Sequence, residues 1–314
     1  IQARSTEDVP DKGTYAKFLL VGCYMKPDEE GVRMYRFDGQ TADVDYPCGL
    51  RGISNPAFLT SDSTGNRIYA IGDDEGKSST ANALLFDKES GLLSLLNSQS
   101  TDGELPIYIT LSPKEYFVLT ANYKGGSITV FSQDKKGKLQ RDTKIIRFAG
   151  NGPNKKRQEQ SHLHCVTFTP DGKFLLATDL GTDCIYLFPI GKRPEAGKAH
   201  SLLDESRVVR IQMDSGSGPR HICFHPNGRF AYLISELSGK ITVFSYNEGK
   251  LERLQTIVCD PFVAEGNADI HVSSDGKFLY ASKHLKEDGI IVYSIDSQKG
   301  TLVPVSYTHL RAHE

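Results

Sequence analysis

Tryptophan is absent from all 314 residues. That excludes the WD-type propeller repeat, whose signature needs one in each unit. Cysteine is sparse and never in Cys-x-x-Cys spacing. Cys23, Cys48, Cys165, Cys184, Cys223 and Cys259 mostly sit inside strand-like runs. They read as buried free thiols in a reducing compartment, not as a disulfide framework or zinc site. No apolar run is long enough to cross a bilayer. No block of like charge occurs, and 37 Lys and Arg against 39 Asp and Glu leave a formal net charge of −2. A general nucleic-acid or anionic-membrane binder is therefore not expected. Helical periodicity of useful length is missing too. The first 14 residues form a polar extension opening on Ile1, with no apolar stretch of the signal-peptide kind. This makes the cytoplasm the expected compartment; export stays open because a native start can lie upstream.

What the chain does contain is one pattern written five times. An apolar run ends in a turn of the Pro-Asp-Gly or Ser-Asp-Gly kind. A second apolar run follows, then a polar segment and a third apolar run. The clearest copies are LHCVTFTPDGKFLLATDLGTDCIYLFPI from Leu163, PRHICFHPNGRFAYLISELSGKITVFSY from Pro219 and ADIHVSSDGKFLYASKHLKEDGIIVYSI from Ala268. Weaker copies start at Pro56 and Pro106. Starts about 50 to 57 residues apart mark a repeat architecture, which can run long as a single domain.

Each copy reads as β structure. Ile222 and Phe224, then Phe230, Tyr232 and Ile234, are spaced by two. Pro170-Asp171-Gly172, Pro226-Asn227-Gly228 and Ser274-Asp275-Gly276 are hairpin signals, since Asn or Asp before Gly tolerates the positive φ of tight turns. A third strand and a short fourth follow, as in Lys240–Tyr246 and Lys250–Ile257. The expected fold is all-β: a propeller of four-stranded antiparallel blades, whose radial stacking leaves only short edges. The segment 17–37 reads as the second and third strands of a blade without its first. After Leu302 no further unit follows, so the domain is expected to span 15–305. Residues 306–314 (SYTHLRAHE) lack strand alternation and read as an atypical, non-native tail.

Antiparallel pairing puts the start of a blade's first strand and the end of its second on one rim, and the Asp-Gly turns on the other. The first rim collects His162, His164, Asp179, Asp183, Arg220, His221, Glu236, Asp269, Lys283, His284, Asn122 and Tyr123. The turn rim carries Lys173, Arg229 and Lys277, ordinary solvated charge. Ionisable groups converging on one mouth suit a polar small molecule.

The strings SHLHCVTFTPDGKFLLATDLGTDCIYLF, GSGPRHICFHPNGRFAYLISELSGKITVF, ADIHVSSDGKFLYASKH and ANYKGGSITVF resemble the 6-phosphogluconolactonase family of seven-bladed propeller lactonases, which includes the fungal carboxy-cis,cis-muconate lactonizing enzyme. The resemblance covers roughly residues 15 to 305. It implies a seven-bladed propeller, here short of its last blade. It also implies that the muconate enzyme's proposed His, Arg and Glu fall on His164, Arg220 and Glu236. A further Arg of that enzyme falls on Lys283, which keeps the charge but loses the bidentate fork.

Lactone hydrolysis needs a base for water, a donor for the oxyanion and a holder for the substrate's anion. His164 suits base or shuttle, Glu236 base or orienting group, and Arg220 anion or oxyanion binding. His162, Asp179, His221 and Lys283 are expected to bind substrate. No ligand spacing asks for a metal, and no cofactor is expected. The expected activity is hydrolysis of an anionic sugar lactone, 6-phosphogluconolactone first, by a monomer. The rivals are a lactonizing cycloisomerase of the muconate type, a lactonase for an unphosphorylated sugar acid, and a non-catalytic binding propeller.

Overall fold

The computed structural model describes residues 17–75, 77–192, 194–259, 265–284 and 288–309. Its strands form six antiparallel sheets. The first has three strands, β1 (Lys17–Gly22), β2 (Val32–Phe37) and β3 (Val44–Leu50). The second has β4 (Leu59–Ser61), β5 (Arg67–Asp73), β6 (Ser79–Asp87) and β7 (Leu92–Ser100). The third has β8 (Pro106–Leu111), β9 (Phe117–Asn122), β10 (Ser127–Gln133) and β11 (Leu139–Arg147). The fourth has β12 (Leu163–Phe168), β13 (Phe174–Asp179), β14 (Cys184–Pro189) and β15 (Val209–Gln212). The fifth has β16 (Pro219–Phe224), β17 (Phe230–Ser235), β18 (Lys240–Asn247) and β19 (Lys250–Val258). The sixth has β20 (Asn267–Val272), β21 (Phe278–Lys283), β22 (Gly289–Ile295) and β23 (Leu302–His309).

Five apolar clusters lie at the five interfaces between successive sheets. Between the third and fourth, Phe117, Leu119 and Val130 pack on Val166, Leu175 and Phe188. Between the fifth and sixth, Tyr232, Ile234 and Val243 meet Ile270, Leu279 and Tyr293. A middle strand thus has neighbours on both faces, and β9, β10 and β17 are buried at every residue. That is why their sequences are apolar runs instead of alternating ones. The fourth strand of a blade is half exposed, as the burial of β7 and β19 shows.

The turns repeat one device. Thr169 Oγ1 donates to Asp171 Oδ1 at 2.6 Å, the Lys173 amide donates to the same oxygen at 3.0 Å, and Gly172 takes φ +65°. Ser273, Asp275 and Lys277 repeat it at 2.6 and 3.1 Å. The aspartate closes the turn and glycine takes the left-handed position.

Among the described residues the first sheet has three strands, and residues 17–37 supply two of them. At the other end one expectation is corrected. β23 runs through His309, so the strand continues past 305 into the segment read as a tail. Its partner is β22, with Val292 opposite Ser306 and Gly289 opposite His309. A blade's fourth strand is held by backbone pairing and half solvated, so it needs no apolar alternation. The rest of that segment lies outside the described residues.

Candidate active site

The inner strands of sheets three to six share an irregularity that aims the site. In β8 the pairing skips from Pro106–Asn122 to Tyr108–Ala121, leaving Ile107 extra. In β12 the skipped residue is His164, and in β16 it is Arg220. β20 carries an extra residue between Asn267 and Ile270. Each is a β-bulge, which turns a side chain out of the strand's alternation. His164 and Arg220 therefore project at the same level from adjacent blades.

Glu236 follows β17 directly. Its amide donates to Gly218 O at 2.8 Å and its carbonyl accepts from the Gly266 amide at 3.2 Å. The carboxylate is buried, with 7% side-chain exposure, between two guanidinium groups. Arg220 Nε donates to Oε2 at 3.0 Å, and Arg220 Nη1 donates to Ala268 O at 2.6 Å. Arg157 Nη2 donates to Oε1 at 2.5 Å. His164 Nε2 stands 3.9 Å from Oε2. That is too long for a direct hydrogen bond, yet one water at about 2.8 Å from each atom can touch both.

His164 is almost fully buried, and its Nδ1 has no hydrogen-bond partner. Burial, with the Arg220 charge and His221 behind it, pushes its pKa well below the ordinary histidine value. Its ring meets Tyr123 edge-on at 5.6 Å between centroids and His221 at 5.1 Å. Burial also raises the Tyr123 phenol, against the pull of Arg157, whose Nη2 lies 3.4 Å from the phenol oxygen.

Arg157 was not among the residues read from the sequence. It sits in 148–162, the longest connection between one blade and the next. Length was the available signal, since loops of that size in compact domains are mostly functional. Gln158, fully buried, fixes this loop. Its Nε2 donates to Leu180 O at 2.9 Å and to Asp183 Oδ1 at 2.8 Å. Arg157 keeps 39% side-chain exposure, so it faces both Glu236 and solvent.

Three residues expected to bind substrate make polar contacts within the protein. Asp179 is fully buried and accepts from Ser161 Oγ, Thr182 Oγ1 and the His162, Gly181 and Thr182 amides at 2.7 to 3.3 Å. It ties its own turn together. The last residue of β13, it corresponds in position to Asn122, Ser235 and Lys283, one place before the level of Glu236. The turn is tight enough that a Cβ on Gly181 would lie 1.8 Å from Gln160 O. His162 is also spent on the protein. Its Nδ1 contacts Tyr123 O at 3.0 Å, its Nε2 contacts Glu159 Oε1 at 3.1 Å, and its ring stacks on Tyr123 at 4.3 Å. His221 lies behind His164, among Tyr108 and Phe58, with Nδ1 2.7 Å from Asp269 Oδ1. It follows the bulge, so it points inward and not toward the mouth.

Lys283 ends β21 and is buried. Its neighbour His284 has its pKa lowered by burial and then by the Arg220 charge, while Glu236 opposes. The sixth sheet therefore reaches the same electrostatic field. Asp183 accepts from the Gly216 and Gly218 amides at 2.7 and 2.8 Å and shapes the loop ahead of Arg220. All six cysteines are free thiols. Among the described residues no group of three or more His, Cys, Asp or Glu is arranged to hold a metal ion.

The model of the family described as "Lactonase, 7-bladed beta-propeller" matches residues 18–314. The chain belongs to that lactonase family. It is 33% identical over 290 residues to a 6-phosphogluconolactonase of Bacillus subtilis, covering 90% of this chain and 78% of that protein. A Bacteroides fragilis crystal structure, provisionally named a 6-phosphogluconolactonase, superposes with a TM-score of 0.88 at 39% identity, over 99% of this chain and 85% of that one. The periplasmic gluconolactonase of Pseudomonas aeruginosa gives 0.83 at 29% identity, over 94% and 83%. This lactonase-family chain spans about four-fifths of the length of these relatives.

Proposed function

We propose that this chain hydrolyses a sugar lactone, 6-phosphogluconolactone first among them, to the open-chain acid. The observation that carries the reading is the placement of Glu236 between Arg157 and Arg220, with His164, its pKa lowered by burial, 3.9 Å away. The relatives named 6-phosphogluconolactonase and gluconolactonase support it.

The steps follow from the geometry. A water between His164 Nε2 and Glu236 Oε2 attacks the lactone carbonyl carbon. Both Glu236 oxygens already accept guanidinium N–H bonds, so Glu236 orients the water while His164 takes its proton. N–H groups of Arg220 and Arg157 stabilise the oxyanion, and the exposed part of Arg157 meets the substrate's own anion. The ring C–O bond then breaks, and the ring oxygen takes the proton back from His164. The new carboxylic acid ionises at neutral pH, so each turnover releases one proton.

A phosphorylated substrate, confined by its charge, favours the cytoplasm, while the periplasmic Pseudomonas relative keeps export as the second placement. No helix among the described residues is long and apolar enough to cross a membrane. The test is direct: fresh 6-phosphogluconolactone is added and its loss followed above the spontaneous rate. Enzyme-dependent hydrolysis is expected, and a rate equal to the blank overturns the reading. Glucono-δ-lactone in a parallel arm tells an unphosphorylated preference from no activity.

A further inference from the structure

The hydrolysis steps leave one hydrogen-bond donor at the mouth unused. Tyr123 directly follows β9, and its amide donates to Leu105 O at 2.8 Å. Glu236 holds the same place after β17, where its amide donates to Gly218 O at the same distance. The two residues therefore stand at one level of the rim, on the third and fifth blades.

The Tyr123 ring is fixed in place. It stacks on His162 at 4.3 Å, with 14° between the planes, and meets His164 edge-on at 5.6 Å. Its carbonyl accepts from the Gly126 amide at 3.3 Å and contacts His162 Nδ1 at 3.0 Å. Gly126 takes φ +53°, and a Cβ there would lie 2.9 Å from Ser161 O. This close approach sets the turn after Tyr123 against the residues that lead into β12. A ring already held so firmly loses little freedom when its tip meets a ligand.

At that tip, Arg157 Nη2 donates to the phenol oxygen at 3.4 Å and to Glu236 Oε1 at 2.5 Å. The guanidinium thus bridges the phenol and the carboxylate. Arg220 spends Nε on Glu236 and an Nη1 proton on Ala268 O. The phenol oxygen accepts from Arg157, while among the described residues no acceptor takes its own O–H. Burial raises the phenol pKa against the pull of Arg157, so the O–H keeps its proton at neutral pH.

We propose that Tyr123 is a catalytic oxyanion donor, its phenol O–H hydrogen-bonding the lactone carbonyl oxygen as that oxygen becomes negative. This rests on the lactonase reading and deepens it. The proton stays on the phenol oxygen throughout, so the only bonds that form or break are those of hydrolysis itself. An O–H bond to an anion is about twice as strong as one to a neutral acceptor. The phenol therefore stabilises the transition state more than the bound lactone, and its effect falls on turnover. It supplements two guanidinium groups whose charge Glu236 already answers.

The experiment compares wild type with Y123F, which deletes only the hydroxyl and keeps the stack on His162 and the edge contact with His164. On the proposal, kcat for 6-phosphogluconolactone falls on the order of 10²-fold. KM changes little, the mark of an interaction made in the transition state alone. The melting temperature stays at the wild-type value. Glucono-δ-lactone, where the wild type accepts it, shows the same loss, because the attacked carbonyl is common to both lactones. A wild-type kcat in Y123F overturns the proposal, as does an effect confined to KM, which would make the phenol a ground-state contact. Y123L, which removes the ring as well, is expected to lose at least as much kcat and to melt lower. A wild-type kcat there overturns the proposal even if Y123F fails to fold. A wild-type chain without lactone hydrolysis condemns the underlying reading instead, so the two failures are told apart.

Discussion

Arg157 and Glu236 stand 79 residues apart in sequence and share an ion pair of 2.5 Å, closed over a carboxylate that Arg220 holds from the other side. The pair joins the loop before the fourth blade to the second-strand end of the fifth. It is therefore both a lock between blades and the wall of the candidate site. Arg157 is the more exposed of the two guanidinium groups and the one an incoming anion reaches first.

Arg157→Lys keeps the charge but loses the planar fork that spans Glu236 and a substrate oxygen. KM for 6-phosphogluconolactone is expected to rise about tenfold, with a smaller change for glucono-δ-lactone. Steady-state kinetics on the two substrates checks this; equal effects on both would place Arg157 in structure alone.

Glu236→Gln keeps shape and removes the charge that both arginines answer. Turnover is expected to fall on the order of 10²-fold or more, as for loss of one catalytic group. Arg220→Ala is expected to lose as much through the oxyanion and to lower stability too, since it strips a guanidinium partner from the buried Glu236 carboxylate and from Ala268 O of the next blade. Single-turnover rates with thermal melts separate the two effects.

The buried histidines fix the sign of the pH response. His164 and His221 have folded pKa values below the ordinary 6.5. As pH falls through about 6.5 the unfolded chain gains protons that the folded one does not, so stability falls. His271 is shifted the other way and contributes stability at low pH that is lost as pH rises through its folded value. Melts between pH 8 and 5 are expected to fall toward acid, and His164→Gln is expected to flatten the slope. In kinetics the wild type stays active below pH 6.5, where an ordinary imidazole base would be charged.

Asp179→Asn acts on stability. Asp179 is the shared acceptor of two hydroxyls and three amides in a site without solvent. An amide offers one acceptor oxygen in place of two. A loss of roughly 3 kcal/mol is expected in denaturant unfolding, with KM unchanged for the folded fraction.

The blades were legible because each repeats a pair of apolar runs around an Asp-Gly-like turn, and burial on both faces makes the middle strands apolar. His164, Arg220 and Glu236 were legible as a set because counting back from the turns places them on one rim. The residues behind them were not. A bulge adds one residue to an inner strand without a compositional mark, and it moves His221 from the mouth to the interior. Asp179 ends β13 one place before the level of Glu236, where it is a fully buried turn acceptor. Arg157 lies in a connection with no repeat to align it. The strand reaching His309 hides because a blade's fourth strand is specified by backbone pairing more than by side-chain pattern.

The most direct test of the account is the rate of fresh 6-phosphogluconolactone loss with wild type and Glu236→Gln side by side. Hydrolysis well above the spontaneous rate in the wild type, and a fall of about 10²-fold in the variant, is the predicted result. Equal rates in the two proteins and the blank would contradict it.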